Sequence, residues 1–269
     1  MFNLMRADAY RMQRGKGIYI VLGIMLLIAA LTIFVFRSAL IMGVQTEAPE
    51  IVDGEINLFV QQEVITAADG AQMALASMDI MMYFILPIVL ILAMAPFSSS
   101  AVKNELTIGF SRAKFYFSKL LFACTLSVLF MVVNIALYIL FGTVSDGWGY
   151  WGSGLGIEVL QIFGSQVLFA LAFNSIGVFM CFVFRKSGVA IGLYIAFTLV
   201  PQMVIGLLSI AFPEALRAMY FDLASLFGIF AGMPTMQSAD IIQGLLIGLA
   251  WLVVPTVAGL AIFQRAEIK

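Results

Sequence analysis

Ala101-Val-Lys-Asn-Glu-Leu-Thr-Ile-Gly-Phe-Ser-Arg-Ala-Lys-Phe-Tyr-Phe-Ser-Lys119 is a charged island between two long apolar stretches. It holds Lys103, Glu105, Arg112, Lys114 and Lys119, while the residues on either side carry almost no charge. Val102, Leu106 and Phe110 fall at i, i+4 and i+8, so a short helix there has one apolar stripe. Gly109 is placed to end that helix, and Lys114 to Lys119 then lead into the next apolar run. A short polar connection between apolar runs of this length is what a membrane protein shows where its chain turns around.

Composition agrees. Of 269 residues, 63% are hydrophobic and 11% charged, and the mean hydropathy is +1.08. Soluble domains carry about 25% charge. The net charge of −1 gives no nucleic-acid signature, because the charges are sorted by side instead of pooled in a patch. Cys124 and Cys181 both lie inside apolar runs and read as small packing residues. Histidine is absent, which removes His-ligated metals, Ser-His triads and imidazole relays together. The first apolar run is too long for a signal-peptide core, and no small-x-small cleavage site follows it.

Outward from the island, six uncharged runs cover residues 18–36, 80–102, 120–145, 159–184, 187–213 and 241–264. About 20 residues cross a bilayer core, so the expected fold is all-α, a single membrane domain over 1–269. Its six transmembrane helices are expected near 18–42, 78–100, 119–142, 158–184, 187–211 and 240–264. Twelve of the 14 Lys and Arg residues then share one face, leaving Arg37 and Arg217 opposite. The positive-inside rule makes that face cytoplasmic, with both termini on it. Pro201 is expected to kink the fifth span, and Pro87 and Pro96 the second.

Ahead of the first span, Phe2, Met5, Ala9 and Met12 recur at helical spacing, and Arg6, Arg11, Arg14 and Lys16 supply a basic face. That pattern predicts an interfacial helix on an anionic inner leaflet, with membrane lipid as a partner. Residues 43–78 form a long acidic outer loop, partly helical, with 67–76 joining the second span. Trp148, Tyr150 and Trp151 sit in a glycine-rich turn as interface anchors. Residues 213–240 keep an apolar stripe but include Arg217, Asp222 and Gly228, which predicts short helices dipping into the outer leaflet.

No Walker motif and no G-x-S-x-G is present. No catalytic, cofactor-binding or metal site is expected. Asp79, at the mouth of the second span, reads as an interfacial or helix-start residue. Asn134, Gln166, Asn174 and Gln202 are the polar residues deepest in the spans. They serve helix–helix hydrogen bonding or line a substrate path, and the sequence leaves both open.

Three stretches carry a resemblance. They are Asn3-Leu-Met-Arg-Ala-Asp-Ala-Tyr-Arg11 with Gly15-Lys-Gly-Ile-Tyr19, then Glu105-Leu-Thr-Ile-Gly-Phe-Ser-Arg112, and Phe115-Tyr-Phe-Ser-Lys-Leu-Leu121. In this order they resemble permease subunits of ABC-2-type ABC transporters, most of all the bacitracin- or lantibiotic-type peptide export and immunity permeases of Gram-positive bacteria. The resemblance implies an interfacial connecting helix carrying Phe2, Met5, Arg6, Arg11, Met12 and Arg14. It also implies a coupling helix in which Val102, Lys103, Glu105, Leu106, Ile108, Phe110 and Arg112 engage a separate ATP-binding subunit. That subunit would hold ATP and magnesium, and this chain would bind neither. A second permease copy or paralogue would complete the transporter, and Gly188, Gly192 and Ala196 offer a small-residue face for such a contact. The cargo implied is an amphipathic, peptide-like substrate, with self-immunity or secretion as its purpose. A non-transport immunity or sensor protein, or an exporter of lipid-linked or small hydrophobic compounds, stands as the alternative.

Overall fold

A computed structural model describes residues 2–14, 17–42, 50–52, 55–57, 65–80, 83, 111–152 and 154–265. The helices are α1 (Phe2–Arg14), α2 (Gly17–Met42), α3 (Ala67–Ala76), α4 (Arg112–Asp146), α5 (Leu155–Phe184), α6 (Ser187–Ala211), α7 (Leu223–Ala231) and α8 (Ser238–Arg265). Two 3-10 segments, Pro213–Phe221 and Met233–Thr235, flank α7. A small antiparallel hairpin pairs β1 (Glu50–Val52) with β2 (Glu55–Asn57), Ile51 opposite Ile56.

Among the described residues, four helices are long and apolar enough to cross a membrane: α4, α5, α6 and α8. The 26-residue α2 is long enough as well, at about 39 Å, and Arg37 is its one charge. The span expected at 78–100, with Pro87 and Pro96, lies outside the described residues apart from 78–80 and Tyr83. Pro201 lies inside α6, as expected, and Pro255 lies inside α8.

The third span begins earlier than the charge pattern implies. Ser111 accepts the Lys114 backbone N–H at 3.3 Å and caps α4. Phe115 to Lys119 are therefore the second and third turns of a 35-residue helix. The helix thus starts seven residues ahead of the 119 expected for that span. A capped helix satisfies its first amide groups locally, so apolar character alone does not set where it starts.

Helix α5 is the centre of the bundle, with Phe169, Phe173, Asn174, Val178 and Phe182 buried. Glycines let its neighbours approach closely. A side chain on Gly142 of α4 would strike the Thr66 carbonyl, and one on Gly70 of α3 the Tyr138 carbonyl, so α3 lies backbone to backbone on α4. On α8, Gly244 receives the Phe230 ring and Gly248 the Phe169 ring.

The short helix α7 lies alongside the middle of α5, with Phe227 against Phe169 and Phe173 at ring-centroid separations of 5.7 Å. Phe173 stands 11 residues from the end of α5 at Phe184, about 16 Å along the axis. Asp222 caps α7 by accepting the backbone N–H and hydroxyl of Ser225.

Candidate functional site

At the basic end of the bundle, α1 is fixed to α4 by an ion pair. Lys119 Nζ donates to both carboxylate oxygens of Asp8, at 2.7 and 2.6 Å, and both side chains are buried. The ammonium also lies 5.4 Å from the Phe115 ring centroid. The inward face of α1 therefore runs through Leu4 and Asp8, with Met5, Ala9 and Met12 half-buried. Arg6 and Arg14 point outward as the basic face requires, and Arg14 covers the Tyr10 ring at 4.6 Å. The side chains of Phe2 and Arg11 lie outside the described residues.

Of the coupling residues, Val102, Lys103, Glu105, Leu106, Ile108 and Phe110 also lie outside the described residues. Arg112 is described, and its guanidinium donates to the Phe263 carbonyl at 3.2 Å and the Gln264 carbonyl at 2.7 Å. These are last-turn carbonyls of α8, where a cation is favoured by the helix dipole. Beside them Phe115, Phe182 and Phe263 interlock at 4.7–5.9 Å between centroids. The base of α4, which is the second half of the charged island, thus holds α1, α5 and α8 together.

Three of the four deep polar residues are engaged in packing. Gln166 donates to the Leu75 carbonyl at 2.8 Å and the Phe227 carbonyl at 3.2 Å, tying α3 and α7 to α5. Asn174 donates to Ser127 at 2.9 Å and to the Ala170 carbonyl at 2.8 Å, joining α5 to α4. Gln202 accepts from the Tyr83 hydroxyl at 3.2 Å. Asn134 differs: it is fully buried, and neither polar atom of its amide has a hydrogen-bond partner among the described residues.

At the opposite end, the Trp148–Trp151 turn closes onto α3. Trp148 and Trp151 stack at 5.6 Å, Ala67 N–H donates to the Gly147 carbonyl at 3.0 Å, and Ile65 N–H donates to Asp146 at 3.0 Å. Gly147 has a φ of +91°, a backbone state glycine adopts without strain. Two clefts flank the bundle. One, of about 440 Å³, exposes an apolar lining of Phe117, Leu120, Leu121, Cys124 and Leu171, with Lys114 beside it. The other, of about 460 Å³ at the far end, lies between Met73, Val159, Ile162 and Pro234, with Gln72 and Glu158 beside it.

The N-terminal helix α1 and the end of α8 are thus both pinned to the base of α4, beside the basic loop. Residues 4–202, well over half of the chain, match the family model described as ABC-2 family transporter protein. The chain belongs to the ABC-2 transporter family. No curated protein matches it. As an ABC-2 membrane subunit it is a multi-pass membrane protein, of a family whose permeases normally lack an ATPase site and work with an ABC ATP-binding partner. All of α7 and α8 lies beyond the matched segment yet packs on its core through Phe227, Phe230, Gly248 and Phe263.

Proposed function

We propose that this ABC-2 permease is the membrane half of an ATP-driven exporter for an amphipathic, peptide-like substrate that dissolves in the bilayer before it is moved. On this reading the chain is one domain of six spans with both termini cytoplasmic, and a second copy or paralogue completes the transporter. The island at 101–112 meets a separate ATP-binding subunit, which holds ATP and magnesium.

The observation that carries the substrate class is the cleft beside Phe117 and Leu121. Its exposed lining surface is apolar, it is about 440 Å³ in size, and its one charged neighbour among the described residues is Lys114. An apolar surface of this kind suits the greasy face of a cargo. A fully hydrated solute would lose its water there without replacement, at several kcal/mol for an unpaired charge. The buried polar groups of α5 are consistent with this, because Gln166 and Asn174 are spent on packing instead of facing an aqueous path. Rigid-body motion of the island would pass to α4, which the Lys119–Asp8 pair and Arg112 connect to α1 and α8.

The test is resistance. Cells expressing this chain with its cognate ATP-binding subunit should survive higher doses of a cationic or lipid-targeting peptide antibiotic. A hydrolysis-dead ATP-binding subunit should abolish the gain. A panel of such peptides showing neither ATP-dependent protection nor ATP-dependent export would overturn the substrate class.

A further inference from the structure

The middle of the bundle contains a second polar feature that helix packing does not use. Asp79, Tyr83, Phe173, Tyr194, Ala224 and Phe227 line one crevice. Three of its four aromatic rings pack around each other, Phe173 against Tyr194 at 6.0 Å and Phe173 against Phe227 at 5.7 Å. Tyr194 is 1% exposed, and its hydroxyl has no hydrogen-bond partner among the described residues. Tyr83, by contrast, is held by Gln202. The Asp79 carboxylate faces the backbone amides of Asp79 and Ile80, and no Lys or Arg among the described residues pairs with it.

These groups make a consistent set. A half-buried carboxylate beside aromatic walls favours a cationic partner, and no Lys or Arg among the described residues supplies one. Aromatic walls favour a cation over a neutral group. An orphaned buried hydroxyl loses a hydrogen bond that a donor would restore. In the conformation seen the crevice has no room for a water-sized sphere, so it must widen before any ligand enters.

We propose that this crevice is a binding site for a primary ammonium group, such as the head of a lysine side chain on an amphipathic peptide. The ammonium pairs with Asp79, donates to Tyr194 Oη and lies among the rings of Tyr83, Phe173 and Phe227. It enters when α6, which carries Tyr194, moves away from α7, which carries Phe227. In the conformation seen the site is closed. This deepens the exporter reading and rests on it for its biological meaning, but its test needs no transport.

The experiment uses the purified chain in zwitterionic lipid nanodiscs, with hexylammonium as probe and hexanol as its neutral match, read by saturation-transfer NMR titration. Hexylammonium should bind saturably, about tenfold or more tighter than hexanol. Asp79→Asn should bring it to the hexanol level, Asp79→Glu should retain it, and Tyr194→Phe should weaken it about threefold with hexanol unchanged. Thermal melts of each variant confirm folding, and Tyr194→Phe carries the test should Asp79→Asn fail to assemble. No saturable hexylammonium binding, or binding unchanged by Asp79→Asn, overturns the site. Peptide protection in cells with no ammonium binding in nanodiscs would overturn the site and leave the exporter reading standing.

Discussion

Lys119 and Asp8 stand 111 residues apart in sequence and meet at 2.6 Å, both shielded from solvent. Breaking a buried pair by removing one partner strands the other charge, which typically costs about 3–5 kcal/mol. We expect Lys119→Ala and Asp8→Ala each to lower the detergent melting temperature markedly. Asp8→Leu with Lys119→Met should restore most of it, since an apolar pair of similar volume needs no compensation. A double variant as unstable as the singles would show that the charges matter for more than each other.

The amides of Gln166 and Asn134 call for opposite outcomes. Gln166→Leu leaves the Leu75 and Phe227 carbonyls without their donor, and each such bond in a membrane bundle is worth about 0.6–1.7 kcal/mol. It should destabilise the protein by about 1–2 kcal/mol. Asn134→Leu removes a buried amide that has no partner among the described residues and should stabilise by about 1 kcal/mol. If Asn134→Leu melts no higher, or lower, the amide has a partner in the working protein. Transport assayed on the same variant then tells whether that partner is cargo.

How much of this was legible beforehand depended on distance along the chain. Spans could be read because each is a continuous local run, and α6 and α8 end close to where the apolar runs end. The start of α4 lies ahead of the expected 119 because Ser111 and its cap outweigh the charges of the first two turns. The Asp8–Lys119 pair left no local signal, since each residue alone reads as a solvated charge near a membrane surface. Asp79 stands in the first turn after Ser77, which agrees with its reading as an interfacial or helix-start residue. Its neighbours in the crevice, Tyr194 and Phe227, come from distant helices and leave no local signal. The hairpin did have a signal: Asp53-Gly54 between Ile51-Val52 and Glu55-Ile56 is the two-residue turn pattern, overlooked beside the acidic character of the loop.

The glycine contacts can be tested against each other. Gly142→Val pushes a branched side chain into the Thr66 carbonyl, and Gly248→Val into the Phe169 ring. Overpacking of this kind costs about 1–3 kcal/mol. Gly206 on α6 has open space around it, so Gly206→Ala should leave the melt within about 0.5 kcal/mol of wild type. A melt for Gly142→Val that matches Gly206→Ala would mean α3 does not rest on α4 as closely as the backbone suggests.

Arg112 separates structure from coupling at the end of the island. Its guanidinium is committed to the Phe263 and Gln264 carbonyls, a charge-assisted cap worth about 1–2 kcal/mol. Arg112→Ala should therefore lower the melting temperature, and Arg112→Lys should recover part of the loss, because a single ammonium cannot match the fork. Glu105 and Phe110 are assigned the other role, contact with the ATP-binding subunit. Glu105→Lys combined with Phe110→Ala should leave the melt of the isolated chain unchanged while ATP-dependent export falls about tenfold or more. The contrast between the two sets decides the assignment. Export untouched by the Glu105 and Phe110 pair would remove the island from the coupling path. An Arg112→Ala variant that melts normally but exports poorly would move Arg112 into that path.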